Sequence, residues 1–330
     1  MKPHILQIAA GLLLSAAGLS AVGENAAYPT CSATAGVLRQ ACGAEGRDDY
    51  LTEAANCLNE DDVSGCLAEA GAEYREGRAE CREVFSARLE VCDGVGEAPY
   101  QPAFGAAFAN TFVDPLLIGD SVTPNPYFPL VPGNFWVYED PDGEETITVE
   151  VTGDTKNIDG VTCIVVVDTA EEDGVAVEIT RDWYAQDAWG NVYYCGEISE
   201  NFEVFDGDAP EEPELVDIEG SWKHARDGAK AGILLPFDPM PGQFFRQEVA
   251  WGDAEDVIEI LDLSADETAT LEDDSVLSCN GTCLRTRDFT PLEPDAEENK
   301  FYLPGVGLLV ETDPEEGSRV ELKAYGNNPL

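Results

Sequence analysis

Six cysteines between residues 31 and 92 are arranged symmetrically about one point in the chain. Their position numbers give the same total for three nested pairs: Cys31 with Cys92, Cys42 with Cys81, and Cys57 with Cys66. The segments between them are rich in Ala, Leu, Glu and Arg, which favour helices, and the central stretch NEDDVSG is typical of a turn. Gaps of 11 and 15 residues are close to whole numbers of helical turns, so the cysteines of one helix share a face.

The cysteine pattern predicts an antiparallel helical hairpin over residues 24–95, held by the three nested disulfides. Gly43 and Gly46 lie inside the first helix and are expected to weaken it, because glycine is a poor helix former. Small helical units rarely bury enough apolar surface to be stable alone, so the disulfides are expected to stabilise the hairpin. The hairpin is then either a stabilised cap or a protein-interaction module.

The N-terminus has the three-part pattern of a secretory signal peptide. Lys2 precedes an apolar run from Ile8 to Leu19, and small residues follow at Ala21 and Gly23. The apolar run is too short to span a bilayer, and no later stretch approaches the length that a membrane helix needs. These features predict a signal peptide over residues 1–23 and a periplasmic or secreted protein. Ten cysteines in an exported chain indicate disulfides rather than metal ligands.

The charge balance limits the classes of partner. Sixty-six Asp and Glu against eighteen Lys and Arg give a net charge of −48, and such a negative field repels nucleic acids and anionic lipid surfaces. The expected partners are an unidentified small molecule, a cation or a protein. After removal of the predicted signal peptide, His224 is the one histidine left. Zinc sites and hydrolytic triads depend on histidine, so we expect no cofactor and no histidine-based catalysis.

The remainder of the chain predicts a linker over residues 96–125 and a β domain over residues 126–330. In ETITVEVT, the residues Ile147, Val149 and Val151 alternate with polar ones, which is typical of a half-buried strand. Hairpin turns are indicated at Asp142-Gly143, Asp159-Gly160, Asp173-Gly174 and Gly190-Asn191. Long consecutive strands twist and curl. The predicted fold class is therefore α+β: a disulfide-linked antiparallel helical hairpin followed by a mainly antiparallel β domain, either a curved meander or a half-barrel.

Four strings carry a resemblance to known proteins: PNPYFPLVPGNFWVYE, RDWYAQDAWGNVYYCGE, EGSWKHARDGAKAGILLPFDPMPGQFFRQE and KFYLPGVGLLVE. Together they resemble a family of uncharacterised exported bacterial β-rich proteins, some of which carry a Cys-rich helical N-terminal extension. The resemblance covers about residues 111 to 325. It implies an exported β domain and supplies no catalytic residues. At the level of fold alone, the repeated hairpins also resemble the half-barrels of periplasmic lipid carriers.

The β domain contains four further cysteines. Cys279 and Cys283 flank the tight turn Asn280-Gly281, so a local disulfide between them is within reach. Cys163 and Cys195 would then pair with each other. In a flat meander they lie on strands that flank a third, about 9.6 Å apart, which is beyond the usual limit of about 7 Å. Crossed pairings with Cys279 and Cys283 therefore stay open.

Motifs for catalysis and metal binding are weak. The sequence contains no GxSxG, phosphate-binding glycine loop or HExxH, so no catalytic or metal-binding residue is assigned. Carboxylate pairs could serve a hydrolase, but among so many acids no pair can be chosen. Acidic loops beginning at Asp140 and Asp206 offer oxygen ligands for calcium without matching the calcium-loop spacing. His224 lies among charged residues and is expected at the surface.

Aromatic residues are concentrated in the first strands of the β domain. A curled sheet has a concave side, and apolar residues there either pack together or face a ligand. The possible ligand-facing residues are Trp136, Tyr138, Trp183, Val177 and Ile179. We therefore expect an acidic binding or scaffold protein of the cell envelope or medium that holds an apolar small molecule. The alternatives are a carboxylate-based hydrolase and a calcium-binding envelope protein.

Overall fold

A computed structural model describes residues 30–205, 207–314 and 317–328. The predicted signal peptide therefore lies outside the described residues. The first helix begins at Thr30 and the second ends at Val95, within the predicted hairpin module. The following segment contains two short 3-10 helices, Ala109–Thr111 and Pro115–Leu117, and the first strand begins at Asn134.

The helical hairpin consists of α1 (Thr30–Cys57) and α2 (Val63–Val95). The structure contains the three predicted disulfides, with Cα–Cα distances of 5.6, 5.9 and 5.4 Å from the outer pair to the inner pair. The α2 N-terminus is capped by Asp62, whose carboxylate accepts a hydrogen bond from Gly65 N at 3.0 Å. Helix α1 continues through Gly43 and Gly46, because the disulfides and the packing against α2 hold it on both sides of the glycines.

Sixteen strands follow in the described part of the chain. They are β1 (Asn134–Glu139), β2 (Glu145–Ile158), β3 (Val161–Glu172), β4 (Val175–Gln186), β5 (Val192–Glu203), β6 (Glu214–Asp217), β7 (Lys230–Leu235), β8 (Phe244–Arg246), β9 (Glu248–Val249), β10 (Val257–Ala265), β11 (Thr268–Thr270), β12 (Val276–Ser278), β13 (Cys283–Phe289), β14 (Glu297–Leu303), β15 (Gly307–Thr312) and β16 (Arg319–Asn327).

The strands form an antiparallel sheet in which most neighbours are consecutive in the chain. The order is β8-β10-β13-β14-β15-β16-β1-β2-β3-β4-β5-β7-β9, with β6 also paired to β5, while β11 and β12 form a separate two-stranded sheet. The predicted turns at Asp159-Gly160 and Asp173-Gly174 join β2 to β3 and β3 to β4. All four turn residues have positive φ, as a two-residue hairpin turn requires. The α+β prediction is confirmed.

The two ends of this sheet meet at one short segment. Strand β8 pairs with β10 at one end and β9 pairs with β7 at the other, yet Gln247 alone separates β8 from β9 in the chain. Gly232 on β7 lies against this segment: a Cβ there would be 2.2 Å from Arg246 O and 2.3 Å from Gln247 O. The sheet is therefore nearly closed, and the close approach depends on a residue without a side chain.

The sheet has an inner and an outer apolar cluster. The inner cluster is the larger and includes Trp136, Ile164 and Leu322. The outer cluster contains Phe104, Ile158, Val161, Cys163, Trp183, Ala185, Tyr193, Cys195 and Ala231. Phe104 comes from the segment before β1, so this segment covers part of the sheet from outside.

The remaining disulfides are Cys279–Cys283 and Cys163–Cys195. The second joins β3 to β5 across β4, with a Cα–Cα distance of 6.9 Å. This distance is shorter than two strand spacings of a flat sheet, about 9.6 Å. The sheet is not flat here, because the register of β4 and β5 shifts between Trp183 and Tyr184. The disulfide thus fits the curved sheet, and the crossed pairings left open by the sequence are absent.

The helical hairpin is attached to the sheet by a buried ion pair. Arg88 on α2 donates from Nε to Glu255 Oε2 at 2.9 Å and from Nη2 to Glu255 Oε1 at 2.5 Å. Both side chains are buried. Nearby, Arg287 on β13 donates to Glu90 on α2 at 3.1 Å. Among the described residues, no helix is long and apolar enough to cross a membrane.

We predict that Glu255→Gln lowers the free energy of unfolding by about 3 kcal/mol, because it leaves the buried Arg88 guanidinium without a counter-charge. Urea denaturation measures this change. The control is Glu200→Gln, which breaks the partly exposed Arg181–Glu200 pair and should cost less than about 1 kcal/mol. Equal losses in the two variants would contradict the assigned attachment.

We also predict that Gly232→Ala destabilises the protein by about 2 kcal/mol, because the new methyl group overlaps two backbone carbonyls that have little freedom to move. Gly43→Ala is the matched control, since its Cβ would meet nothing within 4 Å. That change should stabilise the protein by up to about 1 kcal/mol, as expected for a half-buried helical position with free space around it. Thermal or urea unfolding of both variants distinguishes the outcomes, and a neutral Gly232→Ala would show that closure does not depend on this contact.

Candidate functional site

A cavity of about 220 Å³ lies inside the nearly closed sheet. Its wall carries six aromatic side chains: Phe128, Trp136, Tyr138, Tyr184, Tyr194 and Tyr302. It also carries five carboxylic acids: Asp168, Asp182, Glu248, Asp256 and Asp288. Pockets for drug-sized molecules have volumes of roughly 300–1,000 Å³, so this cavity fits a smaller molecule.

Strand alternation and register bring these residues together. On β4, Asp182 and Tyr184 face the cavity, whereas Trp183 between them belongs to the outer cluster. Asp182 lies opposite Val166 on β3 and opposite Glu197 on β5. Because side chains at alternate positions point to the same face of a strand, one face of three neighbouring strands supplies this side of the cavity.

The aromatic residues form a continuous wall on one side of the cavity. The ring of Phe128 stacks on Trp136 with centroids 6.0 Å apart and meets Tyr184 edge to face at 5.2 Å. Tyr184 in turn stacks on Tyr194 at 4.7 Å. The Trp136 indole is fixed by a hydrogen bond from Nε1 to Val306 O at 2.7 Å. These contacts hold the rings in place before any ligand arrives.

Burial makes the charged form of the cavity carboxylates costly. It raises the pKa of Asp168 to about 7, with a smaller contribution from Glu178. Burial also raises the pKa of Asp288 to about 6, although Lys300 opposes the change. The pKa of Asp256 is raised mainly for the same reason. These carboxyls therefore keep their protons to a higher pH than ordinary surface carboxylates do.

Asp182 and Glu197 share contacts with one hydroxyl group. The Tyr194 hydroxyl lies 2.5 Å from Asp182 Oδ1 and 2.7 Å from Glu197 Oε2. A tyrosine hydroxyl has one hydrogen to donate, so the second contact requires a hydrogen on one of the carboxyls. Burial raises the pKa of Glu197 to about 7 and that of Asp182 well above its usual range. The Tyr194 hydroxyl therefore links two carboxyls, of which at least one is protonated.

The one basic side chain in the described cavity wall is already engaged. Lys300 Nζ lies 2.9 Å from Glu298 Oε2 and 3.2 Å from Glu311 Oε2. Burial lowers the pKa of Lys300, but Glu311, Glu298 and Asp288 together raise it well above its ordinary value. Lys300 is thus a charged member of a local ion cluster. Its charge lowers the pKa of Asp168, Asp256 and Asp288, but the effect of burial on these carboxyls is larger.

Glu248 has an oxygen without a hydrogen-bond partner. Its side chain faces the cavity and is 4% exposed, and Oε2 receives no hydrogen bond from the described residues. The Trp222 indole N–H, which also has no hydrogen-bond partner among the described residues, opposes the change in the pKa of Glu248. Burial, followed by Asp256 and Glu197, raises this pKa well above the usual range. Buried polar atoms are normally paired, so this oxygen is available to a hydrogen-bond donor that enters the cavity.

The structure divides the predicted ligand-facing residues between two faces. Trp136 and Tyr138 line the cavity. Trp183 lies in the outer cluster, where Lys156 Nζ is 3.5 Å from its ring centroid. Val177 and Ile179 alternate with Trp183 on β4 and share this outer face, because two-residue steps keep side chains on one side.

The sequence did not indicate the cavity carboxylates. Asp182 lies on the face of β4 opposite to Val177, Ile179 and Trp183, so it occupied what looked like the solvent face. The available clue was the alternation of Asp182 with Tyr184, since a buried tyrosine needs a polar partner. His224 was expected at the surface, but it is largely buried, and its Nδ1 accepts a hydrogen bond from Ala231 N at 2.9 Å.

The described residues offer no compact metal site in the cavity. The one group of three potential ligand atoms within 4.8 Å is Glu53 with Cys57 and Cys66, and these cysteines form a disulfide. The loop at Asp140 is occupied by its own backbone, since Asp140 Oδ1 accepts from Glu145 N at 3.1 Å. Asp206, where the second proposed calcium loop begins, lies outside the described residues.

Comparison with protein-family models, with curated proteins and with solved structures found no match.

We predict that Asp168→Asn becomes more stabilising, relative to the parent protein, as pH rises from about 4 to about 7. A raised pKa means that folded Asp168 keeps a proton that the unfolded chain loses near pH 4. Its contribution to stability is complete below pH 4 and is lost as pH approaches its folded pKa of about 7. Asparagine resembles the protonated form and avoids this loss.

Urea denaturation at intervals from pH 4 to pH 8 tests the effect. Asp154→Asn is the control. It also removes one negative charge, but Asp154 is exposed on β2 and does not line the cavity. Parallel stability curves for Asp168→Asn and the parent protein would contradict the assigned protonation.

Proposed function

We propose that this protein is an exported binding protein that holds a small organic cation in the cavity of its sheet. The observation that carries the proposal is the buried, unpartnered Oε2 of Glu248 in a wall with four further carboxylic acids. A buried carboxylate without a partner is destabilising. A positively charged group at this position would supply both the hydrogen bond and the counter-charge.

The aromatic wall supports a cation with an apolar body. Ammonium groups are attracted to the faces of Trp and Tyr rings, and Trp136, Tyr184 and Tyr194 line the same cavity as Glu248. The expectation of a purely apolar ligand fits this wall less well. Such a ligand would displace water from the carboxylates without replacing its hydrogen bonds, which costs free energy.

The spread of the carboxylates favours an organic cation over a metal ion. Calcium requires six to eight oxygen ligands around one point, and no three cavity carboxylates of the described chain bring oxygens within 4.8 Å of one another. An organic ammonium ion needs only two or three acceptors and can use the remaining volume for its carbon atoms. The calcium alternative therefore has less support.

The proposal also includes export of the protein from the cytoplasm. The signal-like N-terminus predicts secretion, and the structure contains five disulfides, which persist in oxidising compartments. We therefore place the protein in the periplasm or the medium. Membership of the exported β-rich family remains part of this proposal. The helical hairpin then serves as a cap that stabilises the sheet.

A carboxylate-based hydrolase is the second candidate. It is favoured by the link of Asp182 to Glu197 through the Tyr194 hydroxyl, because hydrolases of glycosides use two carboxyl groups in different protonation states. The raised pKa of Glu197, about 7, suits a general acid near neutral pH. Lys300 and its partners do not contribute to this pair.

We predict that benzylamine binds the cavity and that Glu248→Gln weakens its binding at least tenfold, because glutamine keeps the shape of Glu248 but removes the charge. Isothermal titration calorimetry measures the affinity. Glu150→Gln is the matched control, since it removes one negative charge from an exposed position on β2 and should leave the affinity unchanged. Benzyl alcohol, the neutral counterpart, should not bind.

The heat of benzylamine binding should also depend on the buffer, because a cation lowers the pKa of the cavity carboxyls and releases protons. Equal affinity for benzylamine and benzyl alcohol, or an unchanged Glu248→Gln, would refute the cation site. Turnover of an aryl glycoside that is lost in Asp182→Asn would support the hydrolase instead.

A further inference from the structure

A second cavity, of about 240 Å³, lies between the helical hairpin and the sheet. It is bounded by the first turn of α1, the segment after α2, and strands β7 and β9. Its charged side chains are Lys230 and Arg246, and none of the described lining residues is Asp or Glu. In a chain with sixty-six acidic and eighteen basic residues, the wall of this cavity is therefore locally positive.

Arg246 is buried without a carboxylate partner. Its side chain is 5% exposed, and no described carboxylate lies within the 4.0 Å of an ion pair. Its Nη2 lies 3.4 Å from Cys31 Sγ, a disulfide sulfur and a weak acceptor, and its guanidinium carbon lies 5.2 Å from the Trp251 ring centroid. A guanidinium has five N–H donors, so most donors of Arg246 make no hydrogen bond to the described residues.

The nearest acidic group does not neutralise Arg246. Glu255 is the carboxylate that raises the pKa of Arg246, against the stronger effect of burial and the opposing charge of Arg88. Both oxygens of Glu255 are already bonded to Arg88. Two buried guanidinium groups therefore share one carboxylate, which leaves an excess of positive charge in a region of low dielectric.

Lys230 adds a second positive charge to the wall. Its Nζ donates to Tyr100 O at 2.6 Å, which fixes the ammonium group but does not neutralise it. The α1 N-terminus contributes no further anion site, because Glu97 already accepts a hydrogen bond from Ser32 N at 3.0 Å. The attraction for an anion therefore comes from Arg246 and Lys230.

We propose that this second cavity binds a small monocarboxylate with an apolar body. The carboxylate lies against Arg246 and Lys230, where the planar guanidinium offers paired N–H donors that match the two oxygens. The apolar part contacts Val95, Val249 and Trp251. A single negative charge is preferred, because the net charge of −48 opposes the entry of multiply charged anions such as phosphates.

The test uses 4-fluorobenzoate as the probe, with binding followed by fluorine NMR and by isothermal titration calorimetry. The parent protein should bind 4-fluorobenzoate but not the neutral 4-fluorobenzamide. Arg246→Met should reduce the affinity at least tenfold, and Lys230→Met should reduce it severalfold. Arg226→Met is the control for loss of one positive charge, because Arg226 is exposed at the surface, and it should bind like the parent.

Three results would overturn the proposal: no binding of 4-fluorobenzoate to the parent protein, equal binding of the amide, or unchanged affinity in both Lys230→Met and a folded Arg246→Met. If Arg246→Met does not fold, Lys230→Met decides the question. The two cavities are tested separately, because Glu248→Gln should leave 4-fluorobenzoate binding intact.

Discussion

The close contact between Gly232 and the Arg246–Gln247 carbonyls organises the rest of the structure. At this point one residue separates the strands that form the two ends of the sheet. The contact curls a long antiparallel meander into a nearly closed form with a protected interior. It also directs neighbouring residues to two different cavities, since Arg246 faces the helical hairpin and Glu248 faces the interior. Both proposed binding sites therefore depend on the same closure.

The interior of this protein is unusual in its charge. Burying several carboxylic acids in one cavity costs free energy, which is reflected in the raised pKa values of Asp168, Asp256 and Asp288. Packing of the inner cluster and the five disulfides offset this cost, because the disulfides restrict the unfolded chain. Functional sites often carry such an energetic cost, which supports the proposed binding role of this cavity.

The fold was more predictable from the sequence than the site. The nested cysteines specified the helical hairpin, because their spacing combined helical periodicity with mirror symmetry. The Asp-Gly pairs specified two of the hairpins, because only a few residues adopt positive φ readily. The alternating strands also indicated Trp136 and Tyr138. Trp183 was expected on the same side, but it lies on the outer face of β4. Its neighbours Asp182 and Tyr184 face the cavity, because consecutive residues of a strand point to opposite faces.

The sequence by itself determined the disulfide-linked hairpin, the β2–β3 and β3–β4 turns and the strongly acidic character of the chain. All three follow from local spacing or from composition. The tertiary structure alone decided which face of each strand is internal, how Cys163 reaches Cys195, and where Glu248 and Arg246 lie. Alternation gives every strand two faces but does not state which of them is enclosed. That choice depends on closure of the sheet and on the segment carrying Phe104, which covers the outer face, and both involve contacts between residues far apart in the chain.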